Sequence, residues 1–86
     1  MKLHQLKIKA QYFFSIRYKY KTFELRKDDR DYELGDIIHF VTEDGREFGE
    51  DENNAYMITY ILRNCKEYGL KDGYCILSIK KIDERN

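Results

Sequence analysis

Short β-rich runs, each closed within a few residues by turn formers, constrain this chain most. Residues 4–9 alternate, with Leu6 and Ile8 on one side and Lys7 and Lys9 on the other, the period of a half-buried strand. Residues 21–27 alternate as well. Residues 37–41, 56–62 and 74–82 are rich in β-branched and aromatic side chains and predict three more strands. Turn signals separate them: Lys27-Asp28-Asp29-Arg30-Asp31, Gly35-Asp36, the hairpin dipeptide Asp44-Gly45, and a loop at 64–73 with Gly69 and Asp72-Gly73. Residues 10–20 change period. Phe13, Ile16 and Tyr20 recur at helical spacing with Phe14 and Arg17 beside them, which predicts a short amphipathic helix. No Ser, Thr, Asp or Asn stands at its start, so no side-chain N-cap is expected. The acidic, aperiodic stretch 47–54 reads as a loop, and 83–86 is expected to fray. Five strands with one helix after the first predict an α+β fold, a small barrel or strongly curved sheet with the helix packed against it.

The 86 residues are expected to form one domain over 1–86. A chain of this size buries only about 60–65% of its unfolded surface, so one modest core is expected. Eight Tyr and five Phe supply it. Charged residues make up 37% with zero net charge, a mixed-sign surface suited to water. No apolar run approaches the roughly 20 residues that span a bilayer, and Met1-Lys2-Leu3-His4-Gln5 is too polar for a signal peptide. A cytoplasmic location is expected. Cys65 and Cys75 stand ten positions apart with no histidine nearby, which fits neither a zinc site nor a redox pair. Both are read as free thiols, Cys75 as a small core hydrophobe and Cys65 as the more exposed. The zero net charge hides a division: residues 1–30 carry nine basic and three acidic side chains (+6), and residues 31–86 carry seven and thirteen (−6). Such asymmetry suggests one basic and one acidic face.

The run Lys21-Thr22-Phe23-Glu24-Leu25-Arg26 concentrates the chemistry. As a strand it turns Phe23 and Leu25 toward a core and Thr22, Glu24 and Arg26 to the opposite face, with Lys21 at its entrance. A carboxylate two residues from a guanidinium, with an ammonium close by, reads a planar polar ligand or holds its own geometry by ion pairing. Lys21, Glu24 and Arg26 fall on the lysine, glutamate and arginine of a G-x-K-x-x-E-x-R motif, with Lys19 at its glycine. The chain thereby resembles ASCH domains, a branch of the PUA-like superfamily of small β-barrels associated with RNA. It is similar throughout to a short bacterial and phage family of ASCH-like domains of unknown function. The matching stretches are 4–9 (H-Q-L-K-I-K), 23–32 (F-E-L-R-K-D-D-R-D-Y), 34–36 (L-G-D), 59–62 (T-Y-I-L) and 68–79 (Y-G-L-K-D-G-Y-C-I-L-S-I).

The resemblance implies a PUA-like barrel with a polar cleft lined by Lys21, Glu24 and Arg26. Its D-R-D pattern suggests that Arg30 extends that cleft. Around it Lys7, Lys9, Arg17, Lys19 and Lys27 are candidates for a phosphate-tracking surface. Tyr68 and Tyr74 are candidates for stacking on a base, with burial as the competing role, favoured for Tyr74. The expected function is an RNA-binding module that reads a short single-stranded or flipped element, so RNA or a nucleoside is the expected ligand. No cofactor and no metal are expected. The acidic run from Glu43 to Glu52 lacks the alternation of a calcium loop. His4 and His39 have no metal-ligand partners in sequence, and no Ser-His-Asp arrangement or phosphate-binding glycine loop is present.

Two alternatives stand beside this one. A small amidohydrolase-like enzyme on modified nucleosides would work through Lys21 and Glu24. In the hydrolytic branch of the resembled family a lysine activates a threonine, but that threonine falls at Glu24 here. Thr22 is two residues away, a shift of roughly 6–7 Å along a strand, beyond the roughly 3 Å reach of hydroxyl activation. The other alternative is a protein-binding accessory factor of phage or mobile-element origin, which predicts a contiguous exposed apolar patch.

Overall fold

The computed structural model describes residues 1–49 and 53–82. In chain order these form β1 (Leu3–Lys7), α1 (Ala10–Arg17), β2 (Phe23–Lys27), β3 (Ile37–Val41), β4 (Tyr56–Leu62) and β5 (Tyr74–Lys81), with a 3₁₀ turn at Lys66–Tyr68. The strands make one sheet in the order β1-β3-β4-β5-β2. β1 and β3 are parallel, and the other pairs are antiparallel. A parallel pair needs a crossover, and here the crossover carries α1 and then β2, which docks at the far edge of the sheet. The expected α+β class, the five strands and the single helix after the first strand are all present.

The sheet curls until its two edge strands face each other. At the two ends of β1 the even-numbered flanking residues turn to β3: Lys2 O accepts from the Ile37 N–H, and the Ile8 N–H donates to the Val41 carbonyl. The carbonyls of Gln5 and Lys7 point the other way. There they accept from Arg30 Nη1 at 3.2 Å and Arg26 Nη1 at 3.0 Å. Side chains, not a backbone ladder, close the seam of this half-barrel.

Inside it Leu6, Phe13, Ile38, Phe40, Ile58 and Leu77 form the centre of the core. α1 covers one end. Phe13 stacks on Phe48 at 4.0 Å between ring centroids and meets Phe40 edge-on at 6.1 Å. The helix has no side-chain N-cap, as expected, and stops at Arg17, short of the predicted span. Tyr20 is therefore off the apolar stripe and 87% exposed. The stop is a Schellman-type turn: Lys19 N–H donates to Ile16 O, and the N–H groups of Tyr20 and Lys21 both donate to Ser15 O. Lys19 takes the left-handed backbone this turn needs, at φ 70°, where a side chain costs about 1 kcal/mol relative to glycine.

One expectation is reversed. Phe23 and Leu25 do not face the core: they are 45% and 55% exposed, while Glu24 is 6% exposed. β2 turns its polar side inward, because that side faces the free edge of β1, whose carbonyls need donors. Register confirms the inversion. Glu24 lies opposite Leu77 and Arg26 opposite Cys75, both fully buried, while Phe23 and Leu25 lie opposite Ser78 and Ile76 on the outer face. A β-bulge between Ile58 and Tyr60 then places Tyr60 and Leu62 opposite the same Ser78 and Ile76. The outer face of β2-β5-β4 thus carries two partly exposed rows, Phe23–Ser78–Tyr60 and Leu25–Ile76–Leu62.

The charged segment after β2 is a strap rather than a free turn. Arg63 grips Asp28 with two hydrogen bonds, at 2.6 and 3.2 Å, and Tyr32 is buried in the core. The predicted hairpin at Asp44-Gly45 forms, with Gly45 at φ 87° and the Arg46 carbonyl accepting from Thr42 at 2.8 Å. Asn54 clamps the main chain of Phe40, donating to its carbonyl at 2.6 Å and accepting from its N–H at 3.1 Å. Of the predicted acidic loop, residues 50–52 lie outside the described residues, as does the segment expected to fray, 83–86. Cys75 is buried, Cys65 is half-buried, and neither is in a disulfide. No helix among the described residues is long and apolar enough to cross a membrane.

Candidate functional site

Glu24 is the anchor of the candidate site. Burying a carboxylate is costly unless each oxygen is satisfied. Here one oxygen accepts from the Lys21 ammonium, and the other from Arg26 Nη1 at 2.9 Å. The ammonium also donates to the Phe23 carbonyl at 2.7 Å, and it lies 4.9 Å from the centre of the Phe23 ring and 5.5 Å from that of Tyr12, within cation–π range. Lys21 precedes β2, and its stem runs forward along the strand to reach the Phe23 carbonyl and Glu24. The triad is fixed before any ligand arrives.

Beside it opens a cleft of about 300 Å³, lined by Lys7, Ile8, Lys9, Tyr12, Glu24, Arg26 and Glu43. The end of β1 supplies the two lysines, α1 supplies the tyrosine ring, and β2 supplies the charged pair. Such a lining offers a flat aromatic surface, a guanidinium held in place, and mobile cations at the rim. Its volume is at the small end of ligand sites, and suits one planar polar group rather than an extended chain.

Lys21, Glu24 and Arg26 are thus brought together, but by pairing with one another; Glu24 and Arg26 line the cleft, whereas Lys21 borders a second cavity. Arg30 sits on the same seam, with its guanidinium on the Gln5 carbonyl. Tyr68 lies on the 3₁₀ turn, 86% exposed, and does not line the cleft. Tyr74 is half-buried with the Lys71 ammonium 5.8 Å from its ring centre. Of the proposed phosphate-tracking residues, Lys7 and Lys9 line the cleft, whereas Arg17 and Lys19 line the second cavity together with Thr22. Lys27 is exposed at the end of β2.

Sequence reasoning missed Tyr12 and a buried polar relay behind Arg26. His4 faces inward and shares a 2.8 Å hydrogen bond with Asp36, which is fully buried. Burial alone would raise the Asp36 carboxyl, but the hydrogen bonds from His4 and from the N–H groups of Lys2 and Glu33 hold it at about 2. The His4 ring packs on Tyr32 at 4.8 Å. Burial raises the Tyr32 phenol, opposed by the nearby Arg26 and Arg30 guanidinium groups. Burial likewise pushes the Cys75 thiol up to about 11, so it is inert as a nucleophile at neutral pH. The signal for His4 was available, since it alternates in phase with Leu6 and Ile8; nothing local pointed to Asp36. His39 hydrogen-bonds Glu47 at 2.7 Å and the Asn54 carbonyl at 2.8 Å. No group of three or more potential metal ligands gathers among the described residues.

No curated protein matches the chain. A family model described as a domain of unknown function, DUF3850, matches residues 3–79, and the chain belongs to that family.

Proposed function

We propose that this protein is an RNA-binding module of the ASCH, PUA-like type, which takes one unstacked base into the cleft beside Glu24. The observation that carries this reading is the buried Glu24 holding Arg26 at the wall of an open cleft whose other walls are Tyr12, Lys7, Ile8, Lys9 and Glu43. A guanidinium fixed by a carboxylate presents its remaining N–H groups to a base edge without losing freedom on binding. The Tyr12 ring offers a stacking surface, and the two rim lysines suit the flanking phosphates. Unpaired cysteines fit a reducing compartment, in line with a cytoplasmic location.

A salt titration of binding to a short single-stranded RNA tests it. Lys7→Ala with Lys9→Ala should flatten the dependence of log affinity on log salt by about 1.4, two phosphate contacts on a single strand. Tyr12→Ala should cost about 1–3 kcal/mol through lost stacking. Unchanged affinity and slope in both variants would refute the assignment. The hydrolase alternative has less support: although Lys21 and Thr22 border the same second cavity, the Lys21 ammonium is already held by Glu24 and the Phe23 carbonyl. The protein-binding alternative has one observation in its favour, the outer rows through Phe23, Leu25, Tyr60 and Leu62. A change of Leu25→Asp that left RNA binding intact but abolished a protein interaction would establish it.

A further inference from the structure

The second cavity, about 250 Å³, is bordered by Arg17 and Lys19 at the end of α1, Lys21 before β2, and Lys80 and Lys81 at the end of β5. Two segments distant in sequence, 17–21 and 80–81, therefore bring five cations to one cavity, with no acidic residue in its lining among the described residues. Of these cations Lys21 is already paired with Glu24. Neither Lys19 nor Lys80 has an ion-pair partner among the described residues. Ile16 and Ile79, both buried, provide an apolar floor. The carbonyls of the helix end would repel an anion, but those of Phe14, Ser15 and Ile16 are already bonded to the N–H groups of residues 18–21. Lys19 also holds its left-handed backbone at φ 70°, where glycine would sit without strain.

We propose that this cavity binds a phosphate monoester, with Lys19 and Lys80 as its main cations and the organic part of the ester resting on Ile16 and Ile79. Lys19 and Lys80, two cations with no ion-pair partner among the described residues, match the two charges of a monoester dianion better than the single charge of a phosphodiester. The cavity shares only Lys21 with the Glu24 triad, and the proposal does not depend on the reading given to the Glu24 cleft. Two sources share the chemistry, a free mononucleotide and the terminal phosphate of an oligonucleotide.

Calorimetric titration of the full chain with adenosine, adenosine 5′-monophosphate, and a short RNA with and without a 5′-phosphate tests the proposal. The monophosphate should bind and the nucleoside should not. Affinity should rise between pH 5 and 7 as the monoester loses its second proton near pH 6. Lys19→Gly and Lys80→Ala should each weaken the monophosphate about tenfold, the loss of one charge-assisted contact. Lys19→Gly removes the ammonium and relieves the backbone, and a thermal melt of the same variant separates loss of binding from loss of folding. Lys7→Ala with Lys9→Ala should leave monophosphate affinity unchanged even if it abolishes RNA binding, which separates the two sites. A 5′-phosphate that tightens the RNA more than it tightens the nucleoside would identify an RNA end as the source; the reverse would identify the mononucleotide. Equal binding of adenosine and its monophosphate, or full affinity in Lys19→Gly with Lys80→Ala, would overturn the proposal.

Discussion

Arg26 reaches across the barrel seam to the main-chain carbonyl of Lys7, at 3.0 Å, from the same nitrogen that holds Glu24 at 2.9 Å. One guanidinium thus joins the two edges of the sheet and neutralises the carboxylate buried between them. The site and the closure of the fold are the same object, and substitutions in it act on stability as well as on binding.

Arg26→Ala is therefore expected to destabilise the protein by about 3 kcal/mol, since it leaves Glu24 buried with a single partner. Arg30→Ala, which removes an exposed contact to the Gln5 carbonyl, should cost less than about 1 kcal/mol. Urea denaturation of both variants measures the contrast. Equal losses would mean that Glu24 is not what makes Arg26 necessary.

The inverted face of β2 makes a second contrast. Leu25→Ser should change stability by about 0.5 kcal/mol or less, as for other exposed positions. Leu77→Ala, across the same sheet but fully buried, should cost about 2–5 kcal/mol. The two side chains differ little in sequence context, so only their direction separates them.

That inversion also marks where the sequence was legible and where it was not. Period 2 located β2 and said that Glu24 and Arg26 share a face, but alternation alone cannot say which face is inside. Hydrophobicity chose wrongly, because it could not show that β2 docks at the far edge, opposite the unpaired carbonyls of β1. The strands and α1 were readable because each is set by local pattern. The end of α1 was not, since Lys19 occupies a conformation that signals itself only when the residue is glycine. Pairings such as His4 with Asp36 and Arg63 with Asp28 join positions more than 30 residues apart, and no local pattern encodes them. Lys21, Glu24 and Arg26 were found together for a simpler reason: they are neighbours in one strand.

Lys19→Gly should raise stability by about 1 kcal/mol by removing the left-handed strain at φ 70°. The gain is partly offset by the greater freedom of glycine in the unfolded chain. Thermal melts of the variant and of Lys19→Ala separate the two effects, because alanine loses the ammonium but keeps the strain. If both variants melt alike, the strain relieved at this position is no larger than the entropic cost of glycine.

Acid should unfold the protein in part through Asp36. Its carboxyl sits at about 2 in the folded chain, below the roughly 3.9 of an unfolded aspartate. A depressed group stabilises the fold fully above its unfolded value and loses that contribution as pH falls toward its folded one. Between about pH 4 and pH 2 the unfolded state takes up the proton first, and on the order of 2 kcal/mol is lost. The exposed Asp44 is also lowered, by Thr42 and Arg46, so the comparison must be internal. Asp36→Asn should be less stable than the natural chain at pH 7, and the difference should shrink steadily from pH 4 to pH 2. Denaturant midpoints at four or five pH values measure it. A difference that stays constant with pH would show that the bonds from His4, Lys2 and Glu33 do not favour the ionised form, and that Asp36 is held for its shape rather than for its charge.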